Sequence, residues 1–173
     1  MHPLAMILLI LAAEPAMTMK LTSTGFNHET AIPSRFTCDG TNVSPPLSWS
    51  GLPAGTKSLA LVVTDPDAPD PKAPKTTWVH WVLYDLPADA TGLREAITSK
   101  GLPQGALEGT NDFGHTGYGG PCPPIGRHRY VHTLYALDTV LADLDRPTRA
   151  KLLAAMEGHV LGTAELIGTY QRQ

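Results

Sequence analysis

The segment from Gly109 to Asp138, GTNDFGHTGYGGPCPPIGRHRYVHTLYALD, joins two stretches of opposite chemical character. Up to Gly126 it is rich in glycine and proline and has almost no apolar run, which excludes a helix and predicts a shaped loop. From His128 the residues HRYVHTLYAL alternate and are rich in aromatic and β-branched types, which is typical of a half-buried strand. A loop that delivers a histidine and a tyrosine onto one strand face is a common way to build a small polar pocket. We therefore predict that this segment forms a site.

A second segment, SLALVVTDPDAPDPKAPKTTWVHWVLYDL, supplies two further strands. An apolar strand is predicted over Leu59–Thr64, an acidic and proline-rich loop from Asp65 to Pro74, and a second strand over Thr77–Leu86. A side-chain period of two predicts that one face of the second strand carries Trp78, His80, Val82 and Tyr84, and that the other carries Val79, Trp81 and Leu83. By the same count, His128, Tyr130 and His132 share a face of the later strand.

The remaining elements are mostly strands. We predict strands near Met19–Thr24 and Leu47–Trp49, and the final HVLGTAELIGTY is typical of a closing strand. One helix is predicted to begin at Asp145–Thr148, with proline in its first turn, and to end before Gly158. The expected fold is mainly β, an antiparallel β-sandwich with one or two peripheral helices.

Several motifs, taken in order, resemble the phosphatidylethanolamine-binding protein family, and most closely its bacterial and archaeal Raf-kinase-inhibitor-like branch. The matching pieces are Phe36–Gly40 (FTCDG), Ser44–Trp49 (SPPLSW), Asp65–Pro69 (DPDAP), Trp78–Trp81 (WVHW), Gly120–Pro124 (GPCPP), His128–Tyr130 (HRY) and the ending Gly158–Tyr170. The resemblance covers Lys20 to Gln173 and implies the same sandwich fold.

The resemblance also implies a ligand pocket and a small anionic ligand, such as phosphate or phosphoethanolamine. The family's ligand-binding positions match Asp65, Ala68, Pro69, Trp78, His80, Gly120, Pro121, His128 and Tyr130. Imidazoles can donate hydrogen bonds and become charged when an anion raises their pKa, and a carboxylate can orient one imidazole by accepting from its second nitrogen. The Cys122–Pro124 turn departs from the pattern of the eukaryotic relatives, and we expect it to reshape the pocket mouth.

Composition fits one domain and excludes some classes of partner. The chain has 173 residues, 42% of them apolar, which suffices for a single domain over residues 19–173. A net charge of −3 without basic runs argues against nucleic acid as a partner. We find no cofactor motif and no catalytic or metal-ligand set. His128 and His132 would lie roughly 13 Å apart on a strand, too far for one ion.

Two functions remain open. The first is a binding or regulatory protein with a small-anion (phosphoryl-type) pocket, for which inhibition of a kinase or protease and a homodimer are further expectations. The alternative is a small hydrolase that uses Asp65 and His80 as an acid–base pair, although no activated nucleophile is evident. We favour the binding protein, and therefore a protein that is not an enzyme. The simplest structural readings, a core histidine at His80 and a turn at Asp65–Asp67, are outweighed by the joint fit to one family pattern.

The N-terminal residues 1–18 are set apart from this domain. Leu4–Ala13 is an apolar run too short to span a bilayer, so no transmembrane segment is expected. Three interpretations stay open. The run is the apolar core of a signal peptide, or translation begins at Met17 or Met19 and the run is not part of the protein, or it is an apolar extension that packs on the domain or on a partner. We favour export, hence a periplasmic or secreted protein over a cytoplasmic one.

Two further expectations concern covalent geometry. Cys38 and Cys122 lie in loops that the resemblance places near the pocket, which leaves a disulfide and two free, buried thiols as alternatives. The resemblance also implies a non-proline cis peptide bond at Thr76–Thr77, just before Trp78.

Overall fold

The fold is a sandwich of two sheets, seen in a computed structural model that describes residues 18–173. The elements are β1 Lys20–Thr22, β2 Thr30–Ala31, β3 Leu47–Ser50, β4 Ser58–Ala68, β5 Thr76–Pro87, β6 Gly92–Leu93, β7 Leu107–Glu108, β8 His128–Leu137, α1 Arg149–Met156 and β9 Val160–Tyr170. The larger sheet has six strands in the order β2-β9-β8-β4-β5-β7, and the smaller has three in the order β1-β3-β6. All strand pairs are antiparallel except β2 with β9. The predicted mainly-β sandwich is confirmed.

Strand β4 is the centre of the larger sheet, because it pairs with β5 on one side and β8 on the other. Its first six residues are all buried, since both faces of the sheet are covered. One face packs against the smaller sheet, in a core that includes Leu61, Val63 and Trp81. The opposite face packs against α1, in a second core that includes Val62 and Leu152. A strand covered on both faces reads as a continuous apolar run, which explains the sequence SLALVV.

The predicted loop after Leu59–Thr64 is partly wrong. Strand β4 continues through Asp65 to Ala68, and only the residues after Ala68 form the turn to β5. Asp65 pairs with Trp78 and Ala68 pairs with Thr76, with an irregularity of the register between them. Such a bulge lets a proline stand in a strand, because the ladder is already interrupted there. Asp65 and Asp67 are therefore part of the sheet, whereas Asp70 lies in the turn.

The helix begins later than the sequence suggested. Thr148 is the N-cap, and its side chain accepts a hydrogen bond from the Lys151 N–H. Pro147 therefore precedes the helix instead of standing in its first turn, because the threonine hydroxyl satisfies one of the free N–H groups at the helix start. Gly158 follows the helix with a positive φ of 80°, as expected for a residue that ends a helix. This is the one α-helix in residues 18–173.

A bulge in β5 overturns the predicted alternation of its side chains. Val63 pairs with Trp81 and the next residue, Thr64, pairs with Val79, so His80 is an extra residue on β5. Beyond the bulge the faces are exchanged: Trp81 packs in the core between the sheets, whereas Val79 packs with Tyr84 in the core under α1. The prediction that His80 shares a face with Val82 and Tyr84 was therefore wrong. A strict period of two holds only where a strand has no bulge.

Strand β8 agrees with its prediction in both bounds and orientation. It spans His128–Leu137, and the even-numbered residues from His128 to Ala136 are buried. Tyr130 and Leu134 belong to the core between the sheets, and the ring of His132 contacts Phe26 of the same core. The shared face of His128, Tyr130 and His132 is confirmed.

Covalent geometry settles two of the open expectations. Cys38 and Cys122 form a disulfide with a Cα–Cα distance of 5.4 Å. The expected cis bond at Thr76–Thr77 was wrong, because the cis peptide within residues 18–173 is Ala68–Pro69. Thr76 and Trp78 are paired with β4, and a trans chain continues that ladder. A proline bond takes the cis form at much lower cost than other residues do.

The expectations for residues 1–18 lie outside the described residues, apart from Thr18. Export, an alternative start and an apolar extension therefore stay predictions. From residue 18 onward, no helix is long and apolar enough to cross a membrane.

We expect the disulfide to stabilise the fold by constraining the unfolded chain, since it closes a loop of 84 residues. The double variant Cys38→Ser/Cys122→Ser should lose about 2–5 kcal/mol in the free energy of unfolding. Urea unfolding followed by tryptophan fluorescence measures this loss. A reductant should destabilise the wild type and leave the double variant unchanged. Superimposable unfolding curves for the two proteins without reductant would contradict the expectation.

Candidate functional site

A cavity of about 280 Å3 opens where β4 ends and β5 begins, and the loop before β8 passes over them. Two polar residues, Asp65 and His80, lie in a lining that is otherwise apolar. The lining residues are Asp65, Ala68, Pro69, Trp78, His80, Phe113, Cys122, Pro123 and Pro124. Five of the nine residues predicted from the sequence are therefore together in one cavity: Asp65, Ala68, Pro69, Trp78 and His80.

The other four predicted residues do not line the cavity but lie behind its wall. His128 and Tyr130 have no exposed surface. The Gly120 N–H donates to the Asn42 amide oxygen, and the Pro121 carbonyl accepts from the Cys38 N–H, so this part of the loop is tied to the neighbouring turn. The expected convergence of four polar side chains on the cavity thus holds for Asp65 and His80, while the other two support them.

Gly120 has a steric reason to be glycine. A Cβ at this position would collide with the Asn42 amide oxygen and with the carbonyl of Phe36. The close approach of two loops therefore requires a residue without a side chain. Its contribution to the site is the position of the loop that carries Cys122 to the rim.

Asp65 and His128 form a buried ion pair beneath the cavity. The His128 Nδ1 donates to the Asp65 Oδ2 at 2.6 Å, and its Nε2 donates to the carbonyl of Ile125 at 3.0 Å. Both partners are acceptors, so the geometry calls for a proton on each ring nitrogen, which is the imidazolium form. The second carboxylate oxygen of Asp65 accepts from the Asp67 N–H at 2.8 Å. The pair is therefore internally neutralised, and both carboxylate oxygens already accept hydrogen bonds.

His80 is the polar group of the cavity that remains available. Its Nδ1 lies 2.6 Å from the carbonyl of Gly119 and donates to it, which leaves Nε2 for a ligand. Its ring meets Phe113 and Tyr130 edge-on, at centroid distances of 5.4 and 5.2 Å. Burial lowers the pKa of His80 below its ordinary value, and the Gly119 carbonyl and the charges of Asp65 and Asp112 oppose this to a smaller extent. The empty cavity therefore holds a neutral imidazole at neutral pH.

Tyr130 connects the two histidines. Its ring stacks on His128 at a centroid distance of 6.5 Å and meets His80 edge-on. Burial raises the pKa of Tyr130, and its hydroxyl has no hydrogen-bond partner among the described residues. His132, two residues further along β8, has its pKa lowered to about 4 by burial. The side chains of Tyr130 and His132, on the buried face of β8, are thus uncharged.

Phe113 is the lining residue that sequence reasoning missed. It is 42% exposed and meets Trp78 edge-on at a centroid distance of 5.6 Å. Asn111 shapes its turn, because its side-chain oxygen accepts from the N–H groups of Phe113 and His115. Asp112 fastens the turn to β5, where its carboxylate accepts from the Val79 N–H at 2.8 Å. The sequence signal was Asn-Asp before an aromatic residue, because asparagine and aspartate bind their own backbone in turns.

No group of three or more histidine, cysteine or acidic residues that could hold a metal ion occurs in the part of the chain that the structure describes.

With this geometry in place, the chain can be compared with known proteins. The model of the phosphatidylethanolamine-binding protein family matches residues 22–171. The chain belongs to this family. The resemblance drawn from the sequence motifs is confirmed.

Relatives agree over almost the whole domain. A UPF0098 protein of Methanothermobacter thermautotrophicus is 54% identical, over 89% of this chain and 99% of that protein. A UPF0098 protein of Chlamydia muridarum is 45% identical, with 89% and 99% of the two chains covered. The archaeal and bacterial branch of the family is thus the one that the chain resembles.

Solved structures agree with the fold. A phosphatidylethanolamine-binding protein homologue from Chlamydia trachomatis has a TM-score of 0.83 and 42% identity, covering 91% of this chain and 99% of that one. YbcL from E. coli has a TM-score of 0.81 and 34% identity, covering 90% and 99%. Carboxypeptidase Y inhibitor, solved in complex with its cognate proteinase, has a TM-score of 0.56 and 19% identity over 92% and 85% of the chains, which shows the fold alone.

We expect the buried Asp65–His128 pair to be essential for stability. Asp65→Ala leaves a buried imidazolium without its counter-charge and should lower the free energy of unfolding by about 3–5 kcal/mol. Asp138→Ala is the matched control, since it breaks an aspartate–histidine pair with His159 in which both side chains are nearly half exposed. An exposed pair contributes about 1 kcal/mol or less. Equal losses for both variants, measured by urea unfolding, would contradict the assignment.

Proposed function

We propose that this protein is a binding or regulatory member of its family whose cavity holds a small anion through His80. The observation that carries the proposal is that His80 lines the cavity while its Nδ1 is bound to the Gly119 carbonyl, so that Nε2 is the ring nitrogen left for a ligand. A histidine held in this way can receive a proton and donate it to an anion. Membership of a family named for the binding of phosphatidylethanolamine supports a binding function but does not identify the ligand of this protein.

The charges around the cavity make anion binding depend on proton uptake. Asp65 is neutralised by His128, and burial keeps His80 neutral when the cavity is empty. An anion near Nε2 favours the charged imidazole and raises its pKa. The complex therefore takes up one proton that the empty protein does not hold. Affinity should rise as the pH falls through the range between the two pKa values.

The hydrolase alternative has no support in the contacts of Asp65. Its carboxylate binds His128 and the Asp67 N–H, not His80. The acid–base pair of the alternative is therefore not formed. Inhibition of a kinase or protease stays a prediction, because the similarity to carboxypeptidase Y inhibitor supports the fold alone. The homodimer also stays a prediction.

We expect acetate and sulfate, which are both fully ionised in this range, to bind more tightly at pH 6 than at pH 8. The affinity should fall by up to about tenfold per pH unit within the window set by the two pKa values of His80. Isothermal titration calorimetry in buffers of different ionisation enthalpy measures both the affinity and the proton uptake. Tighter binding of both anions at pH 8 would contradict the proposal.

Two variants make this experiment specific. His80→Gln should weaken binding and remove its dependence on pH, because glutamine cannot be protonated. His159→Gln is the matched control, since His159 is exposed and lies at the other end of the sheet, beside Asp138. An unchanged pH dependence in His80→Gln would assign the proton to another group.

A further inference from the structure

We infer that the anion which this cavity selects is a small organic acid with one negative charge and an apolar, flat body, such as an aromatic carboxylic acid, in preference to phosphate. This inference rests on the proposed function, because it names the class of ligand for the same cavity.

The available charge limits the ligand to one negative charge. No lysine or arginine is among the lining residues of this cavity. Of the two arginines that flank His128, Arg129 is bound to both carboxylate oxygens of Asp67, and Arg127 lines a different cavity. His80 is thus the single lining group that can become positive. Asp65 adds no net negative charge, because His128 is its counter-charge. A phosphate monoester carries about 1.5 to 2 negative charges near neutral pH, more than one imidazolium can balance.

Hydrogen-bond donors at the cavity are also few. The protonated Nε2 of His80 is one donor, and Trp78 is the other lining side chain that carries a donor, its indole N–H. The amide groups of Gly119 and Gly120 are already bound, to the His80 carbonyl and to the Asn42 side chain. Pro121, Pro123 and Pro124 have no N–H to offer, so Cys122 is the single residue of this turn with a backbone donor. This is a sparse donor set for the three oxygens of a phosphate group, whereas a carboxylate has only two oxygens to satisfy.

The rest of the lining suits an apolar body. Trp78 and Phe113 meet edge-on, and the two prolines at 123 and 124 complete the wall. Phe113 keeps 42% of its surface exposed, and Ile125, just beyond the wall, keeps 57%. A planar ring placed against these side chains removes apolar surface from water on both partners.

The cavity volume limits the size of the ligand. At about 280 Å3, the cavity is slightly smaller than the roughly 300–1,000 Å3 typical of sites for drug-sized molecules. One ring with one acidic group is of the expected size, and a long or branched body would have to extend past Phe113 into solvent.

The test compares four ligands by calorimetry at pH 6: acetate, benzoate, inorganic phosphate and phenyl phosphate. Benzoate should bind about tenfold or more tightly than acetate, because its ring is buried. It should also bind more tightly than phenyl phosphate, which has the same ring and more charge. Equal affinities for benzoate and acetate, or tighter binding of either phosphate, would overturn this inference and leave the small-anion function standing. Absence of binding by all four would overturn both.

A variant of the wall separates ring burial from charge. Phe113→Ala should reduce the ratio of benzoate to acetate affinity, and Phe113→Leu should restore part of it. Val140→Ala is the matched control, since Val140 is also exposed and apolar but does not line the cavity. Thermal melting checks that each variant is folded. A ratio that stays at the wild-type value in both Phe113 variants would overturn the role of the apolar wall.

Discussion

The buried ion pair between Asp65 and His128 is the interaction on which the site depends. It joins the end of the central strand β4 to the start of β8, at the edge where the cavity opens. Because His128 also donates to the Ile125 carbonyl, the same side chain fixes the end of the loop that passes over the cavity. The pair neutralises the negative charge of Asp65, so the net charge of the cavity lining depends on the protonation of His80. One contact thus fixes both the position of the loop over the cavity and the charge of the cavity lining.

His80 itself is placed by an irregularity of the sheet. The bulge between Val63 and Thr64 on one strand, and Trp81 and Val79 on the other, leaves His80 without a partner in the ladder. An unpaired residue at the end of a sheet can turn its side chain toward a cavity, which is a common use of bulges. The Gly119 carbonyl then fixes the ring, so that one nitrogen is bound and the other is available. A regular strand would have placed this imidazole with the side chains under α1.

The proposed uptake of a proton by His80 on anion binding has a consequence for selectivity. The family includes relatives that match this chain along almost their whole length, yet the chemistry of a site is decided by its own side chains. Here the polar part of the lining is small, and the apolar part is built by residues of four separate segments: Ala68 with Pro69, Trp78, Phe113, and the prolines next to Cys122. In the proposed function, the ligand supplies one negative charge and contacts aromatic and proline rings.

The sequence by itself determined six of the nine strands that the structure describes, the family and five of the nine cavity residues, because these depend on local pattern and on ordered motifs. The bounds of β8 and the shared face of His128 and Tyr130 follow directly from a period of two. Three features were decided only by the tertiary structure: the face of His80, the partner of Asp65 and the presence of Phe113 at the cavity. Each depends on residues far apart in the chain. A one-residue bulge appears only when two strands are paired, and a buried charge takes whichever partner the packing brings within hydrogen-bond distance.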